Sequence, residues 1–263
     1  MALNPIILVR PLVGIGMIAW CSLAWGQAAA AASSTEQSAP LESSAPLALS
    51  DKPDDGPTAR TGFQMAFRTG LKFPFGDATG RRGDELARRY AYQLPIIFDL
   101  GAKVHEAIFV GAYFGLGFGS EGSDGRIEAY CDDNDDNLQN DVSCSTLSIE
   151  LGLRAQYHFQ PGKTWNPYLG YGIGFAAVHQ SLRDQSSGYT EESRSSGIDY
   201  AKLEAGIDFR KRIVGIGPFL ELTAGRFNKE VSEVNGDETF NGSIDQRAWH
   251  FWLMVGARFV LFP

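Results

Sequence analysis

The sequence predicts an all-β chain folded as an eight-stranded antiparallel transmembrane up-and-down β-barrel. Three observations carry this. The segment 246–263, QRAWHFWLMVGARFVLFP, alternates strictly: Trp249, Phe251, Leu253, Val255, Ala257, Phe259 and Leu261 share one apolar face. A period of two is a β-strand, and this face is long enough to cross a hydrocarbon layer, which takes roughly 9–11 tilted residues. Seven earlier segments repeat the pattern, and the chain offers no second layer to cover them. The connections between segments alternate long and short, which a soluble sandwich has no reason to do.

The chain begins with Arg10 before an apolar run, then Gly26-Gln27-Ala28-Ala29-Ala30. A positive residue, a short apolar core and small residues at a cut site make a secretory signal peptide, 1–28. Cys21 follows Trp20, whereas a lipoprotein signal needs a small residue there, so lipidation is not expected. Residues 29–60 are rich in Ala, Ser, Pro and Asp without apolar periodicity and read as a disordered periplasmic linker. The barrel is expected over 61–263.

The expected strands are 61–73, 92–102, 107–119, 146–160, 167–178, 200–210, 216–227 and the last segment. The first sets Phe63, Met65, Phe67, Leu71 and Phe73 against Gln64, Ala66, Arg68, Gly70 and Lys72. The second sets Leu94, Ile96, Phe98 and Leu100 against Asp99 and Gly101, with Pro95 awkward because it donates no ladder bond. The third alternates Ile108, Val110, Ala112, Phe114, Leu116 and Phe118 with glycines and Tyr113. The fourth is the cleanest: Leu147, Ile149, Leu151, Leu153, Ala155, Tyr157 and Phe159 against Ser148, Glu150, Gly152, Arg154, Gln156 and His158.

The fifth, sixth and seventh follow suit, with Lys202, Glu204 and Asp208 on the polar face of the sixth and Glu221 on that of the seventh. Long connections follow odd strands and short ones even strands, which puts both ends of the domain on the side of the short, periplasmic turns. Each strand carries a glycine on its polar face: Gly70, Gly101, Gly111, Gly152, Gly172, Gly206, Gly225 and Gly256. A barrel of eight strands is just wide enough for side chains, so inward residues must often be small. Aromatics near strand ends, among them Phe63, Tyr157, Phe159, Trp165, Trp249 and Phe259, fit interfacial girdles.

With these residues in view, 61–263 resembles the small eight-stranded outer-membrane barrels of Gram-negative bacteria, like the membrane domain of outer membrane protein A and its relatives. The resemblance rests on the architecture, on Asn166-Pro167-Tyr168-Leu169-Gly170-Tyr171-Gly172-Ile173-Gly174-Phe175, and on the aromatic-rich last strand. No peptidoglycan-binding domain follows the barrel, and the chain ends on Pro263 where family members usually end on an aromatic. The resemblance implies the outer membrane as location. It implies lipid and lipopolysaccharide as surroundings, the barrel-assembly machinery as partner during biogenesis, and a monomer.

The inward face is expected to hold Arg68, Lys72, Asp99, Glu150, Arg154, His158, Lys202, Glu204, Asp208, Glu221, His250 and Arg258, of both signs. Charges in a low-dielectric interior need partners, so the first reading is an ion-pair network filling the barrel. The alternative is a narrow gated pore lined by the same groups. Cys131 and Cys144 are an even pair in an oxidising compartment and read as a disulfide, worth roughly 3 kcal/mol on the chain-entropy model.

Between the cysteines, Asp132-Asp133-Asn134-Asp135-Asp136-Asn137 lacks the glycine and closing glutamate of an EF-hand. It reads first as a solvated acidic loop, which could also meet divalent cations at a lipopolysaccharide surface, with a calcium site on its alternating oxygens as the alternative. A second alternative is a lipid A-modifying hydrolase, with His179 and Ser181 two apart and Glu191 and Glu192 following. The expected answer is no enzyme, no cofactor and no metal site. The net charge of −8 argues against nucleic acid.

Overall fold

The structure, a computed structural model, describes residues 60–122, 142–184 and 187–261. The chain divides into two units, Met1–Ser50 and Asp51–Pro263. The expected signal peptide and linker lie outside the described residues, save for Arg60.

The elements are β1 (Gly62–Gly76), a short helix α1 (Leu86–Arg89), β2 (Tyr90–His105), β3 (Ile108–Glu121), β4 (Val142–His158), β5 (Trp165–Asp184), β6 (Tyr189–Lys211), β7 (Val214–Val234), β8 (Asp237–Ser243) and β9 (His250–Leu261). From β1 to β7 each strand pairs antiparallel with the next, β7 pairs with β9, and β9 pairs with β1. Eight strands therefore close a ring, and no edge is left in its wall. The ninth, β8, is a flap on the outer end of β7, paired from Lys229↔Ser243 to Val234↔Asp237.

Side chains sort by position in the pleat. On β4, Leu151 is 56% exposed and Leu153 62%, while Glu150 and Arg154 on either side of the pair are each 3% exposed. In water such a wall would be an aggregating surface; in lipid it is the buried one. The outward apolar run of β4 goes from Leu147 to Tyr157. At about 3.3 Å per residue and a tilt near 40°, that covers roughly 25 Å of membrane, the height of the apolar band in such barrels. No helix among the described residues is long and apolar enough to cross a membrane; the strands do the crossing.

Two differences from the sequence reading have physical causes. β6 starts at Tyr189 instead of 200, and β5 runs on to Asp184, so most of the expected loop 179–199 is hairpin. Beyond the hydrocarbon both faces of a strand meet water, so the apolar alternation that marks a strand fades there. Secondly, 237–243 inside the expected loop 228–245 is strand, turned at Asn235-Gly236, both with positive φ; this is the residue pair that a tight hairpin favours. As expected, Pro95 stands inside β2, opposite Gly117. The β1–β2 ladder steps from Thr69↔Ile96 to Lys72↔Gln93, so the missing N–H coincides with a gap in the pairing.

Candidate functional site

The bore of the ring is the site with unusual chemistry. Its described residues include seven buried cations and six buried anions. At its centre Arg68 of β1 donates from Nε and Nη2 to Asp99 of β2, at 2.7 and 3.1 Å. Its Nη1 donates across the barrel to Glu204 at 2.8 Å and Glu221 at 2.6 Å. Arg154 of β4 joins the same carboxylates: Nη1 donates to Asp99 at 2.8 Å and Nη2 to Glu204, with Glu221 3.5 Å away. Two arginines thus interleave with three carboxylates, and these side chains are at most 1% exposed. Charged donors and bidentate forks make these the strong class of hydrogen bond.

Around this knot lies a second group. Glu150 takes Lys72 on one carboxylate oxygen and Lys202 on the other. Lys202 also lies 3.5 Å from Glu221 and 3.7 Å from Asp199, and His250 Nε2 is 3.9 Å from the other oxygen of Asp199. Toward the short turns Arg258 donates to Asp208 at 3.2 Å and to Gln156 at 2.7 Å. Beside them His158 Nδ1 accepts from Asn166 Nδ2 at 2.9 Å.

Aromatic side chains pack among these charges. Lys202 Nζ lies 5.0 Å from the Tyr113 ring centroid, Lys72 Nζ 4.9 Å from Trp252, and the Arg258 guanidinium 4.5 Å from Tyr168. The inward glycines are where these rings lie down. A Cβ on Gly174 would fall 2.1 Å from the Tyr113 hydroxyl oxygen, and one on Gly152 2.6 Å from the same ring. On Gly206 it would fall 2.6 Å from the Tyr168 hydroxyl oxygen. The glycines thus form recesses for specific rings, a narrower role than general smallness.

The outer mouth carries an apolar stopper. The segment after β1 turns back so that Ala78 and Leu86 meet Tyr90, Val178, Phe227, Ile244 and Trp252, all buried. Arg89 of α1 pins it: Nε and Nη2 donate to Asp84 at 2.5 and 2.9 Å, and Nη1 to Glu230 of β7 at 2.8 Å. Burial pulls the Arg89 guanidinium down, but the bond to Asp84 and the charge of Glu230 outweigh this and hold it above its ordinary range. Gln180 Nε2 donates to the Arg89 carbonyl oxygen at 2.7 Å. The bore is therefore filled by the stopper, by the charge knot and by the lower aromatic layer of Tyr168 and Phe219.

All twelve interior residues singled out from alternation, from Arg68 to Arg258, lie buried within this bore. The expected inward set lacks Asp199, which falls in a segment expected to be loop, Arg210, at a strand end, and Lys103, which alternation puts on the polar face just beyond the second strand; all three are buried inside. The sequence carries no signal for Asp199: it shares the odd parity of outward Leu203 and Ala205, and only the bulge between Asp199 and Ala201 turns it inward.

Cys144 lies on β4 opposite Leu182; its expected partner Cys131, and the acidic loop 132–137, are outside the described residues. His179 Nε2 lies 3.8 Å from Glu192, and Ser181 stands opposite Glu192 in the ladder. His179 Nδ1 has no hydrogen-bond partner, so serine and base are not joined into a relay. No group of three or more metal-binding side chains occurs among the described residues.

A closed ring of eight strands with an apolar outer wall and a charged, filled bore defines an integral membrane β-barrel. No protein-family model and no curated protein matches the chain. Among solved structures it is similar to neisserial surface protein A, at 13% identity over 77% of this chain and 99% of that one, with a TM-score of 0.39. It is likewise similar to a major outer membrane protein from Thermus thermophilus (12% identity, 77% and 100% covered, TM-score 0.44). A third is outer membrane protein OprG from Pseudomonas aeruginosa (13% identity, 80% and 100% covered, TM-score 0.43). The fold itself stands on the ladders and the two faces of the wall.

Proposed function

We propose that this chain is a closed-bore barrel of the outer membrane with a structural or surface-interacting role. The observation that carries this reading is the filled interior: paired charges occupy the waist and a packed stopper occupies the mouth. A conducting pore needs a continuous wet path with sites weak enough to release an ion. Here each carboxylate of the knot is already held by an arginine or a lysine.

The part left to act on is the outer sheet, where β5, β6, β7 and β8 run on past the apolar wall. In this reading the Cys131–Cys144 disulfide closes the neighbouring acidic loop, and lipopolysaccharide with its bridging cations surrounds the rim. The assembly machinery acts on the barrel during biogenesis, and the barrel works as a monomer. The pore reading stays second, and no described observation favours a hydrolase over either.

Orientation is the test. Asp237 in the outer flap and Lys163 in a short turn are both exposed. On intact cells a membrane-impermeant maleimide should label Asp237→Cys and leave Lys163→Cys untouched, with both labelled after lysis. Labelling of Lys163→Cys alone on intact cells would reverse the barrel, and labelling of neither would remove the surface role.

A further inference from the structure

Just beyond the membrane wall, the outward face of β6 and β7 changes from apolar to cationic within one rung. The apolar run ends at an aromatic edge, where Tyr200 is 42% exposed and Trp249 43%, with ring centroids 5.5 Å apart. Amphipathic rings of this kind sit at headgroup level. The outward rungs that follow are Arg226 opposite Ile198, Lys229 opposite Ser196, and Arg194 opposite Val231. At about 3.3 Å per residue these rungs cover roughly 13 Å along the strands.

Among the described residues, none of these three cationic side chains has an ion pair or a hydrogen bond. The Arg226 guanidinium lies 4.0 Å from the Trp249 ring centroid. Stacking of this kind uses the face of the group and leaves its in-plane N–H donors for another partner. The carboxylates of the same face come one rung further out, where Glu192 stands opposite Glu233 and 3.8 Å from His179. Glu230 of β7 points the other way, inward to Arg89. Moving outward, the surface is therefore apolar, then aromatic, then positive, and only then negative.

We propose that this strip binds lipopolysaccharide of the outer leaflet through a phosphate of its lipid anchor. Arg226 and Lys229 hold the phosphate, Arg194 adds a third charge, and acyl chains descend along Ile198 and Tyr200. A guanidinium fork matches two phosphate oxygens, and an ammonium beside it adds a point charge. Ser196 and Ser243 flank Lys229 on its two sides and bring hydroxyl donors. The contact is direct and needs no bridging divalent cation. The proposal rests on the chain lying in the outer membrane, and it gives the lipid a site where the surface reading makes it only the surroundings.

The test uses the full barrel in nanodiscs that hold bisphosphorylated lipid A and the same lipid stripped of both phosphates, in equal amounts, with EDTA present. Lipid retained after transfer to mild detergent is weighed by native mass spectrometry. The parent should prefer the phosphorylated form by about 100-fold, roughly fivefold for each basic residue at such a surface. Arg226→Gln/Lys229→Gln should lower this to about fivefold. Both residues lie outside the bore, so the variant should stay folded, shown by a gel band that moves only on boiling. Arg183→Gln, on β5 beyond the glutamate rung, should keep the parent's preference, and millimolar inorganic phosphate should not displace the lipid.

Equal retention of both lipids by the parent would overturn the site, as would an unchanged preference in the double variant. A preference that appears only without EDTA would overturn it in favour of bridging cations, leaving the surface reading intact. Displacement by phosphate would overturn the lipid as occupant in favour of a free anion. A parent that enters no nanodisc would refute the membrane reading and the site with it.

Discussion

Arg154→Ala should lose about 3–5 kcal/mol of folding stability, the largest single effect among the interior residues. Arg154 sits between Asp99, Glu204 and Glu221, with Arg68, among the described residues, as the only other arginine in contact with all three. Its removal leaves a knot of three carboxylates around one guanidinium in a space that water does not reach. The cost comes from that uncompensated charge, since a complete buried ion pair is often worth little against apolar packing. A double variant shows the difference: Arg154→Met with Glu204→Gln should recover much of the loss. Urea unfolding in lipid or detergent reads both. A loss under about 1 kcal/mol would mean solvated, screened charges and a wet bore.

The second large effect is on the outside of the same strand. Leu151 is 56% exposed, midway along the apolar run, with Phe114 and Phe175 opposite on the neighbouring strands. Leu151→Arg places a guanidinium in the hydrocarbon and should cost about 2–4 kcal/mol. One residue on, Gly152 faces inward beneath the Tyr113 ring, so a bulky side chain there fails by crowding and not by charge. The two positions separate because a strand turns every second residue to the other face. An unchanged midpoint for Leu151→Arg in lipid would put β4 one residue out of register or the wall out of the membrane.

Much of this was legible in the sequence where the membrane enforces a contrast. Along β4 lipid selects Leu147, Ile149, Leu151 and Leu153, and the bore selects Ser148, Glu150 and Arg154, so alternation gives both faces. Where that contrast ends, the signal ends. Tyr189 to Asp199 has water on both sides for much of its length, and its strand character comes from pairing with β5 and β7 instead. The flap β8 was announced only by Asn235-Gly236, a turn signal whose following segment, 237–243, holds a single apolar side chain, Phe240.

The site was legible as a set of inward charges and not as a set of pairs. Which carboxylate meets Arg68 depends on the stagger of the ring. Asp99 is on the adjacent strand, but Glu204 and Glu221 reach it from β6 and β7, three and two strands away round the ring. Nothing in the alternation of one strand encodes that stagger. The stopper was hidden for a similar reason. Leu86 and Ala78 are single apolar residues in a polar segment, and only the open mouth of a closed ring gives them a place to be buried.

The most direct measurement is single-channel conductance of the refolded chain in a planar bilayer. With the waist tied up by Arg68, Arg154, Asp99, Glu204 and Glu221 and the mouth packed around Trp252 and Leu86, inserted barrels should show no steady ionic current at any moderate voltage. Insertion itself is confirmed on the same sample by the boiling-dependent gel shift. A reproducible ohmic step in the parent, with selectivity that changes in Arg154→Ala, would contradict the closed bore.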